Sequence, residues 1–157
     1  MRGMRNITCV LAVALAAAAG ACGGRDPGHG FGDSVDRARA AKTLSSLQTG
    51  LVTLSLVQAD SGGAAVQDVA AALQAKDPAN RYTTAAVTGT GVVQVLGGDG
   101  GPVMLVAISD PASEGRAAQY VAAWQGSGTT MYYAGTAAPA YTTEPPAGPG
   151  WGSTLPQ

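Results

Sequence analysis

The stretch DRARAAKTLSSLQTGLVTLSLVQADSGG, residues 36–63, decides the fold that the sequence predicts. Four leucines recur in it at spacings of three, four and three residues: Leu44, Leu47, Leu51 and Leu54. That spacing is typical of an amphipathic helix, here of about 25 residues. Asp33 or Ser34 can cap its start, and the glycines after Asp60 end it. Since most other positions are polar, the leucine face needs one apolar partner surface.

The residues after this helix change from helical to strand patterning. A short second helix is predicted from the apolar positions between Val66 and Leu73, and Asp77-Pro78 ends it. Two stretches rich in Val, Tyr82 to Leu96 and Val103 to Ile108, flank a glycine-rich turn and predict a β-hairpin. The second stretch is apolar on both faces, which suits a central strand.

A second hairpin is predicted from Gln119–Gln125 and Thr129–Ala134, on either side of Gly126-Ser127-Gly128. The first of these segments also has the apolar spacing of a helix, with Asp110-Pro111 as a start signal. We favour a strand because the second segment needs a neighbour with which to pair. The predicted fold class is therefore α+β, with a long N-terminal amphipathic helix packed on a small antiparallel sheet of three to four strands.

The N-terminus has the pattern of an export signal. Arg2 and Arg5 precede an apolar run from Ile7 to Ala19, which small residues follow. The run is about 13 residues long, against the roughly 20 that a membrane-spanning helix needs. We therefore expect residues 1–21 to be a signal peptide and the mature chain to have no transmembrane span.

Ala19-Gly20-Ala21-Cys22 resembles the lipobox of bacterial lipoproteins. The resemblance implies that the Cys22 thiol receives a diacylglycerol, that Cys22 becomes the first mature residue, and that acyl chains such as palmitate anchor the protein. The alternative is an ordinary secretory signal that is cut nearby, with Cys22 a free thiol. Cys9 would leave with the signal, so Cys22 has no partner for an internal disulfide.

The charge of the chain argues against two classes of partner. The formal net charge is −1, and loss of Arg2 and Arg5 would leave seven basic against ten acidic residues. Basic residues do not cluster beyond Arg37, Arg39 and Lys42. We therefore expect no nucleic-acid partner and no polybasic membrane patch.

Both ends of the predicted mature chain are rich in glycine and proline. Residues 22–32 read as a lipidated Gly-rich tether, and residues 135–157 as a disordered tail. Tyr141 and Trp151 in the tail could instead dock on a partner. The predicted folded domain is residues 33–134.

Residues 33–135 resemble the globular head of type IV pilins and type II secretion pseudopilins. The resemblance is carried by residues 36–63 and by these stretches: VAAALQAKDP (69–78), VVQVL (92–96), VMLVAIS (103–109) and QYVAAWQGSGTTMYYAG (119–135). A lipobox and a glycine tether stand where a pilin has its apolar assembly stalk. The resemblance thus implies a pilin-like head on a lipid anchor.

No residue constellation indicates catalysis, a cofactor or a metal. The single histidine, His29, lies among tether glycines, whereas zinc sites and catalytic relays need a rigidly held histidine. We therefore predict a non-enzymatic structural or interaction protein, lipid-anchored on the extracytoplasmic side of the cell membrane, as an envelope accessory of a pilus or secretion system. The alternative is a ligand-binding lipoprotein with a small aromatic-lined pocket. The candidate ligand or partner contacts are Tyr120, Trp124, Tyr132 and Tyr133.

Overall fold

Two helices and a mixed six-stranded sheet form the fold in a computed structural model of the chain. The structure describes residues 31–62, 67–111 and 115–155, with side chains from residue 38 onward in the first range. The predicted signal peptide, Cys22 and all but the last two residues of the predicted tether lie outside these ranges.

The elements follow the chain from helices to strands. The helices are α1, Phe31–Asp60, and α2, Val69–Lys76. The strands are β1, Arg81–Thr83; β2, Val92–Gly97; β3, Val103–Asp110; β4, Gln119–Gly126; β5, Thr129–Gly135; and β6, Trp151–Gly152. Asp68 caps α2, since its side chain accepts a hydrogen bond from the backbone N–H of Ala71 at 2.9 Å.

The order of strands in the sheet is the order in the chain, from β1 to β6. β1 and β2 pair in parallel, and every later pair is antiparallel. A parallel pair needs a connection that crosses back, and residues 84–91 make it without a helix. Val87 in this connection packs on the sheet face away from the helices.

The helices cover one face of the sheet. Leu47 and Leu54 of α1 are buried against Leu105 of the central strand β3, with Leu44 and Leu51 half-buried beside them. A Cβ on Gly50 would lie only 3.0 Å from Leu105 Cδ1, so glycine at this point lets the helix approach the sheet closely. That close packing offsets the cost of about 1 kcal/mol that glycine brings to a helix interior.

The predicted fold class is wrong in its sheet and in its tail. The sheet has six strands rather than three or four, and its first pair is parallel. Arg81–Thr83 and Val92–Gly97 are separate parallel strands, whereas the sequence predicted one strand from Tyr82 to Leu96. Glycines between them mark the crossover, which strand patterning alone does not distinguish from an interrupted strand.

The segment predicted to be a disordered tail covers the second face of the sheet. The indole Nε1 of Trp124 donates a hydrogen bond to the backbone carbonyl of Thr142 at 2.8 Å. Tyr141 Oη donates to the carbonyl of Pro102 at 2.9 Å, and the ring of Trp151 lies 5.2 Å from that of Tyr133. This segment needs few ladder hydrogen bonds, because its aromatic side chains and carbonyls make the contacts. The disorder predicted from its Pro-rich composition is therefore wrong for residues 135–155, which the structure describes.

The ambiguity at Gln119–Gln125 is resolved in favour of a strand. β4 pairs with β3 on one side and with β5 on the other, the latter across the turn at Ser127 and Gly128. Its alternate side chains enter the two apolar layers, Ala123 on the helix side and Trp124 on the tail side. Burial on both faces explains why its sequence has no clear period of two.

We expect Leu47→Asp to unfold the domain, because it forces a carboxylate into the fully buried interface between α1 and β3. The expected loss is about 3 kcal/mol or more, and Leu51→Asp should act in the same direction with a smaller effect. Thermal melting followed by far-UV circular dichroism measures it. Gln48→Asp, on the exposed face of the same turn, is the matched control. Equal melting temperatures for Leu47→Asp and Gln48→Asp would contradict the packing described.

Truncation after Gly135 should expose Trp124, Met104 and Val106, which are otherwise buried under the C-terminal segment. We expect a lower melting temperature and strong binding of the dye ANS, since a contiguous apolar sheet face then meets water. A chain that ends after Leu155 is the control and should behave like the parent. If both truncated chains have the same melting temperature and neither binds the dye, the segment does not stabilise the sheet.

Candidate functional site

The four aromatic residues predicted as ligand or partner contacts lie on two different faces. Tyr120, Trp124 and Tyr133 belong to the layer between sheet and C-terminal segment, whereas Tyr132 packs at the helix-side cluster. Neighbours such as Tyr132 and Tyr133 must point to opposite sides of a strand. The described residues therefore do not bring all four rings together, and their role as contacts stays a prediction.

Two of these aromatic residues have their polar atoms engaged inside the protein. Trp124 is fully buried, and its indole N–H bonds to Thr142 as described above. Tyr133 Oη donates to the carbonyl of Ala137 at 2.8 Å. Tyr132 instead lines an open groove of about 450 Å³ beside Trp151 and Leu155. A small molecule in this groove would contact Tyr132.

A polar network joins the end of α2 to β1. Tyr82 Oη and Asn80 Nδ2 both donate to Asp77 Oδ2, at 2.7 Å and 2.6 Å. Gln74 Nε2 donates to the carbonyl of Asn80 at 2.8 Å, and Gln74 Oε1 accepts from the backbone N–H of Tyr82 at 3.0 Å. The network satisfies polar groups that would otherwise be unpaired beside the helix-side core.

The protonation states in this network favour a structural role. The hydrogen bond from Asn80 is the main cause that lowers the pKa of Asp77, and desolvation opposes it. Burial, followed by the hydrogen bond to Asp77, raises the pKa of Tyr82. At neutral pH Asp77 is thus a carboxylate and Tyr82 a phenol that donates to it. Neither group is poised to exchange a proton near pH 7.

A cleft with two cationic residues lies where α1 passes the start of β2. It has a volume of about 300 Å³. α1 contributes Arg39, Lys42, Thr43 and Ser46, which share one helix face because they are spaced three, one and three residues apart. The opposite wall is Thr90, Gly91 and Val92, and the apolar residues Val93 and Ala107 also line the cleft. We call this site the α1–β2 cleft.

Local hydrogen bonding fixes the α1 wall of this cleft. Thr43 is buried, and its Oγ1 donates to the carbonyl of Arg39 at 3.0 Å within α1 and lies 3.4 Å from the carbonyl of Ile108 on β3. Because this contact spans helix and sheet, it sets how far the Arg39 turn stands from the strands. Gly91 has a φ of +80°, a conformation that glycine adopts without strain.

The sequence contained half of the signal for this cleft. Arg39 and Lys42 belong to the densest basic group in the sequence, and their spacing places them on one helix face with Ser46. The sequence did not indicate that Thr90 and Gly91 lie opposite α1, because their position depends on the parallel pairing of β1 with β2. One continuous strand from Tyr82 to Leu96, as predicted, would have carried those residues elsewhere.

The described part of the chain contains neither a cluster of metal-ligating side chains nor a membrane-spanning helix. Within residues 31–62, 67–111 and 115–155, no three His, Cys, Asp or Glu side chains come together as a metal site requires. In the same ranges, neither helix is both long and apolar enough to cross a membrane. His29 and Cys22 lie outside them.

Comparison with protein-family models, curated proteins and solved structures gives no match to the chain. The resemblances to a lipobox and to pilin heads therefore remain predictions from the sequence.

We expect Asp77→Asn to destabilise the fold at pH 7 by roughly 1 kcal/mol or more, because the charge-assisted hydrogen bonds from Asn80 and Tyr82 weaken. A lowered pKa means that Asp77 contributes stability above its ordinary value of 3.8 and loses that contribution as pH falls below it. The difference between parent and variant in the free energy of unfolding, measured with urea, should therefore shrink as the pH is lowered from about 5 to below 3.8.

The control for this experiment is Asp99→Asn, in an exposed turn at a φ of 52° that asparagine tolerates. Its stability should follow that of the parent at every pH. A gap between the parent and Asp77→Asn that stays constant or widens in acid would show that the Asp77 charge does not stabilise the fold.

Proposed function

We propose that the protein is a non-enzymatic interaction protein, held by acyl chains on Cys22 at the extracytoplasmic side of the cell membrane. The observation that carries the proposal is Cys22 itself, which directly follows Ala19-Gly20-Ala21 after an apolar segment with Arg2 and Arg5 ahead of it.

The chemistry of a single thiol supports this proposal. Once Cys9 leaves with the signal, Cys22 has no internal partner, so a disulfide gives it no role. Acylation does, because each buried methylene contributes about 0.8 kcal/mol and two or more chains anchor a protein stably.

The start of the folded part is compatible with an anchor of this kind. α1 begins at Phe31, nine residues after Cys22. Nine extended residues span about 30 Å, so the tether would keep the domain next to the bilayer surface.

The layered fold indicates where a partner would make contact. The helices cover one face of the sheet and the C-terminal segment covers the other. A partner would therefore meet the outer surfaces of these layers, where Val52 and Leu56 of α1 are exposed, rather than the sheet. The more specific accessory role in a pilus or secretion system depended on a pilin-like sheet, so the proposal does not include it.

We expect Cys22→Ser to move the protein from the membrane fraction to the soluble fraction or to leave it unprocessed, because its hydroxyl cannot receive the thioether-linked lipid. Fractionation of cells and mass spectrometry of the mature N-terminus measure this. The matched control is Cys9→Ser, which should be processed and retained like the parent. An unmodified Cys22 thiol at the mature N-terminus, or full membrane retention of correctly processed Cys22→Ser, would overturn the proposal.

A further inference from the structure

We propose that the α1–β2 cleft binds a phosphate group through Arg39 and Lys42. The site is separate from Cys22 and from the aromatic residues. Only the suggestion that the phosphate belongs to a membrane lipid rests on the proposed function.

The charge of the cleft favours an anion. Arg39 and Lys42 stand one helical turn apart on the same face of α1, and both line the cleft. The described residues that line it include no carboxylate. A guanidinium matches two oxygens of a phosphate at once, and an ammonium adds a point charge that adapts to a third. The buried apolar residues Val93 and Ala107 also line the cleft.

Hydroxyl groups on both walls supply further donors. Thr43 already donates within the protein, to the carbonyl of Arg39. Ser46 on α1 and Thr90 on the opposite wall line the same space, and in the described part of the chain no hydrogen bond engages either hydroxyl. Because phosphate oxygens accept several hydrogen bonds at once, hydroxyl groups on facing walls suit a tetrahedral oxyanion better than a planar cation.

The shape of the cleft sets the size of the ligand. Its volume of about 300 Å³ is at the lower end of the range for small-molecule sites. A phosphate group with part of its esterified alcohol fits such a space, whereas a nucleotide would extend out of it. Gly91 leaves its wall without a side chain, which lets a phosphate oxygen approach the backbone.

The position of the cleft suggests a source of phosphate. Arg39 lies eight residues after the start of α1, or about 12 Å along the helix at 1.5 Å per residue. The cleft therefore lies along the half of α1 that the tether joins. If Cys22 is acylated, anionic lipid headgroups lie within reach, and a soluble phosphate ester is the other source of the same chemistry.

A full-length chain that carries Cys22→Ser tests the cleft without acyl chains. The cleft variant adds Arg39→Gln and Lys42→Gln. The matched control adds Lys76→Gln and Arg81→Gln, which remove the same two charges from exposed positions outside the cleft. Ser46→Asp is a second cleft variant, which places a carboxylate on the wall and keeps both cations. Circular dichroism establishes that each variant is folded.

The first probe is inorganic phosphate, followed by the amide resonances of Thr90 and Gly91. The second probe is sedimentation with vesicles of phosphatidylcholine, prepared with and without phosphatidylglycerol. The vesicles of phosphatidylcholine alone measure any binding that the apolar N-terminus contributes. We expect the cleft variant to bind phosphatidylglycerol vesicles about 30-fold more weakly than the parent, or roughly fivefold for each lost charge, and the control much less so. Ser46→Asp should weaken binding in the same way.

Each outcome has a defined meaning. Saturable shifts with inorganic phosphate that the cleft variants lose support the site and favour a soluble ester. Cleft-dependent binding seen only with phosphatidylglycerol supports the site and identifies a lipid headgroup. The proposal is overturned if no probe binds, or if the control loses as much affinity as the cleft variant, which would mean a response to overall charge. Because acyl chains are absent throughout, none of these results bears on whether Cys22 is the anchor.

Discussion

Strand β3 is buried along both of its faces, and the rest of the fold follows from the need to cover it twice. Every residue from Val103 to Ser109 is buried. Leu105 and Ala107 face the helices, whereas Met104 and Val106 face the C-terminal segment. A strand of this kind is stable only between two apolar layers. The leucine stripe of α1 supplies one layer, and the aromatic residues of the last third of the chain supply the other.

The two layers cover the faces of β3 by different kinds of contact. α1 uses aliphatic side chains at regular spacing and a glycine that permits close approach to Leu105. The C-terminal segment has no such period, and it holds its position through a few aromatic groups whose polar atoms bond to backbone carbonyls, as Tyr141 does to Pro102. At the edges, β1 has three residues and β6 has two, so little unpaired backbone is presented to other chains.

The sequence predicted what depends on local period and missed what depends on distant contacts. The leucine spacing, the doubly apolar β3 and the β4–β5 hairpin are each visible within a short window. The packing of Tyr141 and Trp151 over the sheet is not visible in any short window. The Pro- and Gly-rich sequence around them is typical of disorder, and the segment is ordered only through its contacts with Trp124 and Tyr133. The α1–β2 cleft was missed for a related reason. Its two walls come together through a parallel strand pair that no local pattern distinguishes from one interrupted strand.

The strictly sequential order of the sheet has a consequence for how the chain acquires its fold. Each strand pairs with one adjacent in the chain, so strand pairing closes local loops, of which residues 136–150 form the longest. The contact from Thr43 to Ile108, in contrast, spans 65 residues. α1 precedes β3 in the chain, so its leucine face has no partner surface until residues 103–109 have been made. During that interval the leucine face is an apolar surface open to other chains, which is the kind of surface that holding chaperones bind.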